Sequence, residues 1–447
     1  LSNSISTFEI ESANANTFVW DVTDPFQVID QQFTNNNSKI NFSTNSQVLK
    51  TFTVFSASNL KAPAFDGSIP NQNLAAIGTP AFLIITHPDF ISEAQRLANH
   101  RQNKSGISVG VVNINQIYNE YSGGKQDITA LRDFIKDVYS SNSFLKNVLL
   151  FGRGSYDYKN RVLGNTNYIP IYESRNSLSP LETYASDDYL TFLEPNEGEW
   201  GEKPAQNHTM DIGIGRLPVK KLEEAKIIVD KIIEYETNPS AFGTWQNEIL
   251  FVADDGDNNI HNTQADQLAN SIEVLNPNYT ANKFFLDSYD QITQQNSGNQ
   301  SSPEANKAVD LAIRKTPLIV NYTGHGSERV WMDERILDET LIKSLHNAPR
   351  YPLFITATCE FGRHDDPLQI TSGELTLLQK KGGGIGIVTS ARPVNSSTNF
   401  TLNKAFYESL FSKENNKYKS MGTVFRETKN NSISGVANRN FSLLGDP

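Results

Sequence analysis

Two short stretches carry side chains suited to breaking an acyl bond: Asn321-Tyr-Thr-Gly-His-Gly326 and Phe354-Ile-Thr-Ala-Thr-Cys359. Each is an apolar run that ends in a reactive group. Leu318-Ile-Val320 leads to His325, and Leu353-Phe-Ile355 leads to Cys359, the only cysteine in 447 residues. A thiolate is a strong nucleophile but needs a nearby base or cation to form at neutral pH. His325 is the residue type that takes such a proton and later returns it to a leaving amine. Gly324 and Gly326 are expected to leave the backbone beside the histidine open to a substrate. The backbone N–H groups of Gly326 and Cys359 are candidates for an oxyanion site.

Delivering these two groups to one place requires a sheet. From Pro80 onward the chain alternates short apolar strands with amphipathic helices, the order of an α/β protein with a mostly parallel sheet. Strands are expected at 81–86, 107–112, 148–151, 210–217, 249–253 and 283–286, then at the two reactive stretches and at 384–388. Ligands of such sheets gather at the carboxyl ends of the strands. Asp255, His325 and Cys359 each fall at such an end, so Asp255 is the carboxylate expected to orient His325. Residues 1–75 read as β, with turns at Asp24-Pro25 and Asn35-Asn-Asn-Ser38, and Gly67 to Pro80 has linker composition. The expected plan is an N-terminal β accessory domain (1–75), a first α/β subdomain without catalytic groups (80–240) and a catalytic α/β subdomain (245–447). Residues 153–208 read as irregular surface excursions.

Composition narrows the class. A net charge of −11 argues against a nucleic-acid or anionic-membrane binder. No run approaches about 18 apolar residues, so no transmembrane segment is expected. One cysteine excludes intrachain disulfides and multi-cysteine metal sites. The start at Leu1 without a leader and the stop at Pro447 suggest a processed or excised piece of something longer.

Other readings are weaker. Asp255, Asp257, Asn259 and Asp266 echo a calcium loop, but its sixth position is Ile260 where a sharp turn needs glycine. Gly382-Gly-Gly-Ile-Gly386 follows a helix and precedes a strand, the reverse of the order that phosphate binding needs. No Gly-x-Ser-x-Gly occurs. The remaining histidines, His87, His100, His208, His261, His346 and His364, show no metal-ligand spacing, and His364 is the rival base. Asp187-Asp188 and Asp365-Asp366 read as solvated turns or calcium ligands.

The two reactive stretches, with Ser327 and Trp331 following the first, resemble the gingipain family of caspase-like cysteine peptidases. Trp20-Asp-Val-Thr-Asp-Pro25, Ile85-Thr-His-Pro-Asp-Phe90, Gln116-Ile-Tyr-Asn-Glu120, Gly154-Ser-Tyr-Asp-Tyr158, Ile214-Gly-Arg-Leu-Pro218 and Leu443-Leu-Gly-Asp-Pro447 extend the likeness toward its type IX secretion sortases. The resemblance implies two caspase-like α/β/α subdomains after a β domain, a Cys359–His325 dyad with Asp255 as third member, and substrate-facing positions at Gly324, Thr358 and His261. It implies a cysteine endopeptidase that removes the C-terminal signal domain of exported cargo through a thioester, with transfer to a surface lipopolysaccharide amine as a further step. It implies an outer-membrane barrel partner of the PorV type and a cell-surface location in a Bacteroidota-type bacterium. No cofactor is required, and calcium, with Asp257 as one ligand, stays open. Arginine-specific members carry an acid where this chain has His261, so strict Arg or Lys specificity is not expected. A degradative gingipain-like protease and a non-catalytic assembly subunit are the alternatives.

Overall fold

A computed structural model describes residues 4–447 apart from 15, 66, 142–143, 196, 198–207 and 294–299. The expected irregular stretch at 153–208 therefore lies partly outside the described residues. The chain divides into two units, Leu1–Asn71 and Gln72–Pro447. The first unit holds two three-stranded sheets, one of Ile5–Glu11, Lys39–Asn45 and Thr34–Asn36 and one of Ile29–Asp30, Thr17–Asp21 and Phe52–Ser56. Its buried core is small: Ala13, Val19, Ile40 and Phe42.

The second unit is built on one ten-stranded sheet. In chain order its strands are β1 (Phe82–Thr86), β2 (Val109–Asn113), β3 (Asn147–Phe151), β4 (Gly213–Leu217), β5 (Glu248–Ala253), β6 (Thr280–Phe285), β7 (Ile319–Thr323), β8 (Leu353–Ala357), β9 (Gly386–Ser390) and β10 (Phe441–Leu444). Across the sheet they run β6-β5-β7-β8-β9-β10-β4-β3-β1-β2. Every pairing is parallel except β9 with β10. Strands buried on both faces read as continuous apolar runs, and β1, β7, β8 and β9 are buried along their whole length.

Among the described residues, ten α-helices of six or more residues flank the sheet: α1 (Ile91–Ser105), α2 (Ile114–Tyr121), α3 (Ile128–Ser141), α4 (Leu222–Thr237), α5 (Gly256–Leu275), α6 (Pro303–Arg314), α7 (Glu339–Ser344), α8 (Ser372–Leu378), α9 (Ser396–Leu410) and α10 (Met421–Asn430). Side chains of α2, α3, α5, α9 and α10 pack with Ile249, Phe251, Ile319 and Ile355 on one face. Those of α1, α4, α6, α7 and α8 pack with Leu250, Val252, Val320 and Phe354 on the other. Adjacent strand residues thus serve opposite layers, as the pleat requires. The result is an α/β/α sandwich.

The two expected α/β halves share this one sheet. The strand that joins them, β10, is absent from the sequence expectation. It pairs antiparallel with β9 and touches β4 at Arg216 and Leu444. Bare backbone accommodates it: a Cβ on Gly215 would sit 2.5 Å from the Gly445 carbonyl oxygen. Buried ion pairs also cross the seam. Arg153, from the first half, meets Glu374 of α8 at 2.6 Å. Glu374 completes the expected capping box with Thr371. Asp188 of the first half likewise pairs with Lys429 of the second, while within the halves Asp187 is buried in a bidentate pair with Arg216 and Asp365 pairs with Arg392. These acids are not the solvated turns their sequence context suggests. Each has a buried cation that satisfies it.

Candidate active site

The geometry starts from register. On β7 and β8, Thr323 pairs with Ala357, and on β5 and β7, Ala253 pairs with Thr323. Asp255, His325 and Cys359 each lie two residues further on, at the carboxyl edge of three neighbouring strands. Adjacent strands are roughly 4.8 Å apart, so the sheet delivers the histidine and the thiol to the same edge from neighbouring strands. The sequence reading of two strands delivering both groups to one edge matches this arrangement.

The loop after β7 is tightly held. Tyr322, fully buried, donates its hydroxyl hydrogen bond to the His325 carbonyl and stacks on Trp331, 4.4 Å away. The Met332 N–H donates to the same carbonyl at 3.0 Å. The carboxylate of Asp254 accepts the His325 N–H at 2.9 Å and the Gly256 N–H at 3.2 Å. Both glycines of the Gly-His-Gly run are needed for close approach. A Cβ on Gly324 would sit 2.3 Å from the Cβ of Asp254, and one on Gly326 would sit 2.5 Å from the Oγ1 of Thr358. On the side where a Cβ would stand, both glycines face protein rather than open space. Thr358, also expected to face substrate, is fully buried against Gly326.

The carboxylate assignment changes as well. Asp255 accepts a hydrogen bond from Gln291. Among the described residues, the carboxylates that touch His325 are Asp254, through the backbone, and Asp257, whose Oδ2 lies 3.3 Å from Nε2. Asp257, Asn258 and Asn259 form a left-handed turn, with φ of 54°, 58° and 62°, that opens α5. Asp and Asn are the non-glycine residues that tolerate this region best. The turn carries Asp257 back toward the histidine. No period or motif announces it; only the Asp-Asn-Asn composition hints at it.

Two acids of the calcium-loop reading have protein partners. Asp266 pairs with Lys283 at 2.8 Å and Asp255 with Gln291. His364, the rival base, is fully buried with Nδ1 against the Gly362 carbonyl. His261, which showed no metal-ligand spacing, lies beside His325 with ring centres 5.3 Å apart.

Cys359 is partly buried on the turn after β8. Its thiol donates to the Val394 carbonyl at 3.5 Å, just before α9. Burial, with Glu360 adding to it, pushes the thiol above its ordinary pKa. The N–H groups of Gly326 and Cys359 have no acceptor among the described residues, which leaves them available to an oxyanion.

A doubly covered parallel sheet with histidine and cysteine at adjacent strand ends defines a caspase-like cysteine-peptidase architecture. Within that class, residues 76–447 match the profile of Peptidase family C25, and the chain belongs to this family. Over 200 residues it is 26% identical to Gingipain R2 of Porphyromonas gingivalis, covering 44% of this chain and 26% of that protein. It is equally similar to a Gingipain R1 of that organism, covering 19% of it. The matched segment thus spans about a quarter or less of these relatives. The fold resembles the crystal structure of the Arg-specific cysteine proteinase gingipain R, with a TM-score of 0.60 at 20% identity over 82% of this chain and 77% of that one. It also resembles dimeric latent PorU from Porphyromonas gingivalis, with a TM-score of 0.58 at 22% identity over 100% of this chain and 37% of that one. Among the described residues no helix is long and apolar enough to cross a membrane.

Proposed function

We propose that this chain is the catalytic core of a cysteine endopeptidase that acts as a surface sortase. Its substrates are exported proteins carrying a C-terminal type IX signal domain. The observation that carries this reading is the shared register of His325 and Cys359 on β7 and β8.

Substrate first displaces the hydrogen bond between the Cys359 thiol and Val394. His325 takes the thiol proton, and the sulfur attacks the scissile carbonyl. The N–H groups of Gly326 and Cys359 hold the developing oxyanion. The C–N bond breaks as His325 returns its proton to the leaving amine, and a thioester remains on Cys359. Water, or the amine of a surface lipopolysaccharide, then attacks the thioester while His325 accepts its proton, and the sulfur leaves. Asp257 holds the imidazole, and Asp254 fixes the backbone that carries it. The scheme needs no cofactor. It fits a protein held outside the cell by an outer-membrane barrel partner. Full processing of cargo by a Cys359→Ala variant overturns it.

The second reading is a degradative protease. It draws support from the gingipain relatives and from the acid next to the thiol, Glu360, which shares Arg363 with Glu328. Rapid cleavage of varied Arg or Lys peptides, with slow processing of signal-domain cargo, favours it.

A further inference from the structure

Beside the nucleophile lies a set of side chains that the peptidase scheme does not use in full. Asp254, His261 and His325 each offer a ligand atom, and these atoms lie within 4.8 Å of one another. His261 is the unexplained member. Its ring is 3% exposed, and neither ring nitrogen has a hydrogen-bond partner among the described residues. A buried imidazole with two unsatisfied nitrogens costs free energy unless something meets it. Its charged neighbours include Asp254 and Asp257; Asp257 Oδ2 lies 3.6 Å from Nε2, and that same oxygen faces His325.

We propose that Asp254, His261 and His325, with Asp257 as an available fourth ligand, form a site for a divalent transition ion of the zinc type. Two imidazoles and a carboxylate are a borderline donor set that suits zinc over calcium or magnesium. Tetrahedral zinc at roughly 2.0–2.2 Å from each ligand needs donors about 3.4 Å apart. With the ligand atoms within 4.8 Å of one another, the site needs to close by at most about 1.4 Å. The His325 side chain is 55% exposed and Asp257 sits on an exposed turn, so both have room to move. Asp254 is already oriented by the N–H groups of Gly256 and His325, the kind of outer support that metal ligands show.

The consequence, which rests on the peptidase reading, is reversible silencing. A histidine bound to metal has no lone pair for the Cys359 proton. Binding itself does not depend on that reading, so it is measured on a protein that cannot react. The Cys359→Ala chain, freed of metal by chelation, is titrated with cobalt(II) and followed by its visible d–d absorption and by calorimetry with zinc. One equivalent with a tetrahedral spectrum is expected. His261→Gln and His261→Leu, each in the Cys359→Ala background, are expected to weaken binding at least 10-fold. Leucine is included because an apolar side chain suits the dry position. The proposal is overturned if the Cys359→Ala chain binds no cobalt, which would place any zinc effect on a Cys359–His325 pair. It is equally overturned if either folded His261 variant binds within 10-fold of its parent.

Discussion

His325 and Cys359 follow neighbouring strands, each two residues beyond the paired Thr323 and Ala357. Parallel hydrogen bonding between β7 and β8 sets that relationship before any side chain makes a contact. A one-residue slip would turn either side chain to the other face of the sheet.

The histidine's carboxylate partner is Asp257, not Asp255. Asp257→Asn keeps the left-handed turn, because asparagine tolerates positive φ. It is expected to slow labelling of Cys359 by a thiol-reactive peptide probe about 10-fold, less than the loss seen when a buried triad carboxylate is neutralised. Asp255→Asn is expected to change the rate less than about 3-fold. The reverse order would return the orienting role to Asp255.

Glycine at 326 is a packing requirement. Gly326→Ala pushes a methyl against Thr358 Oγ1 at 2.5 Å, and such overpacking costs about 1–3 kcal/mol. Thermal unfolding should show that loss. Thr358→Ala in the same chain should recover part of it. No recovery would mean that the clash lies elsewhere, for example with the Val330 carbonyl oxygen at 3.0 Å.

The thiol's pH profile follows from burial. Its pKa lies above the ordinary cysteine value of 9.0, so the thiolate fraction of the free enzyme at neutral pH is below that of an exposed cysteine. Iodoacetamide alkylation of Cys359 should be slow at pH 7 and still climb above about pH 9. A plateau reached by pH 7 would reveal a preformed thiolate–imidazolium pair.

Arg153 ties the two halves together through Glu374, and both side chains are almost fully buried. Removing one partner leaves an unpaired buried charge, at about 3–5 kcal/mol. Arg153→Met should lower the unfolding midpoint sharply, and Glu374→Gln added to it should restore part of the loss. An unchanged midpoint for Arg153→Met would show that the seam does not depend on this pair.

The active strands were legible because their apolar runs are continuous and end abruptly at His325 and Cys359. Burial on both faces demands that pattern, so the pattern reports the sheet. The joining strand β10 was not legible. It is four residues long, and its antiparallel place between β9 and β4 depends on contacts far apart in sequence. The acids misled for a related reason. Asp-Asp and Asp-Gly strings look like turns, yet Asp187, Asp188 and Asp365 are buried because Arg216, Lys429 and Arg392 arrive from elsewhere. Choosing among Asp254, Asp255 and Asp257 required the left-handed turn at 257–259, which local composition permits but does not demand. The resemblance marked His261 as a substrate-facing position, but not as the neighbour of His325, which comes from another strand.

The central claim is that Cys359 forms a covalent acyl intermediate with His325 as its base. The most direct measurement is mass spectrometry of the protein quenched in acid during turnover of a cargo fragment that spans the cleavage site. A thioester of the N-terminal product on the peptide containing Cys359, absent from the His325→Ala chain, is the predicted result. Cargo cleaved while Cys359 stays unmodified at every time point, or processing that persists in the Cys359→Ala chain, would contradict it.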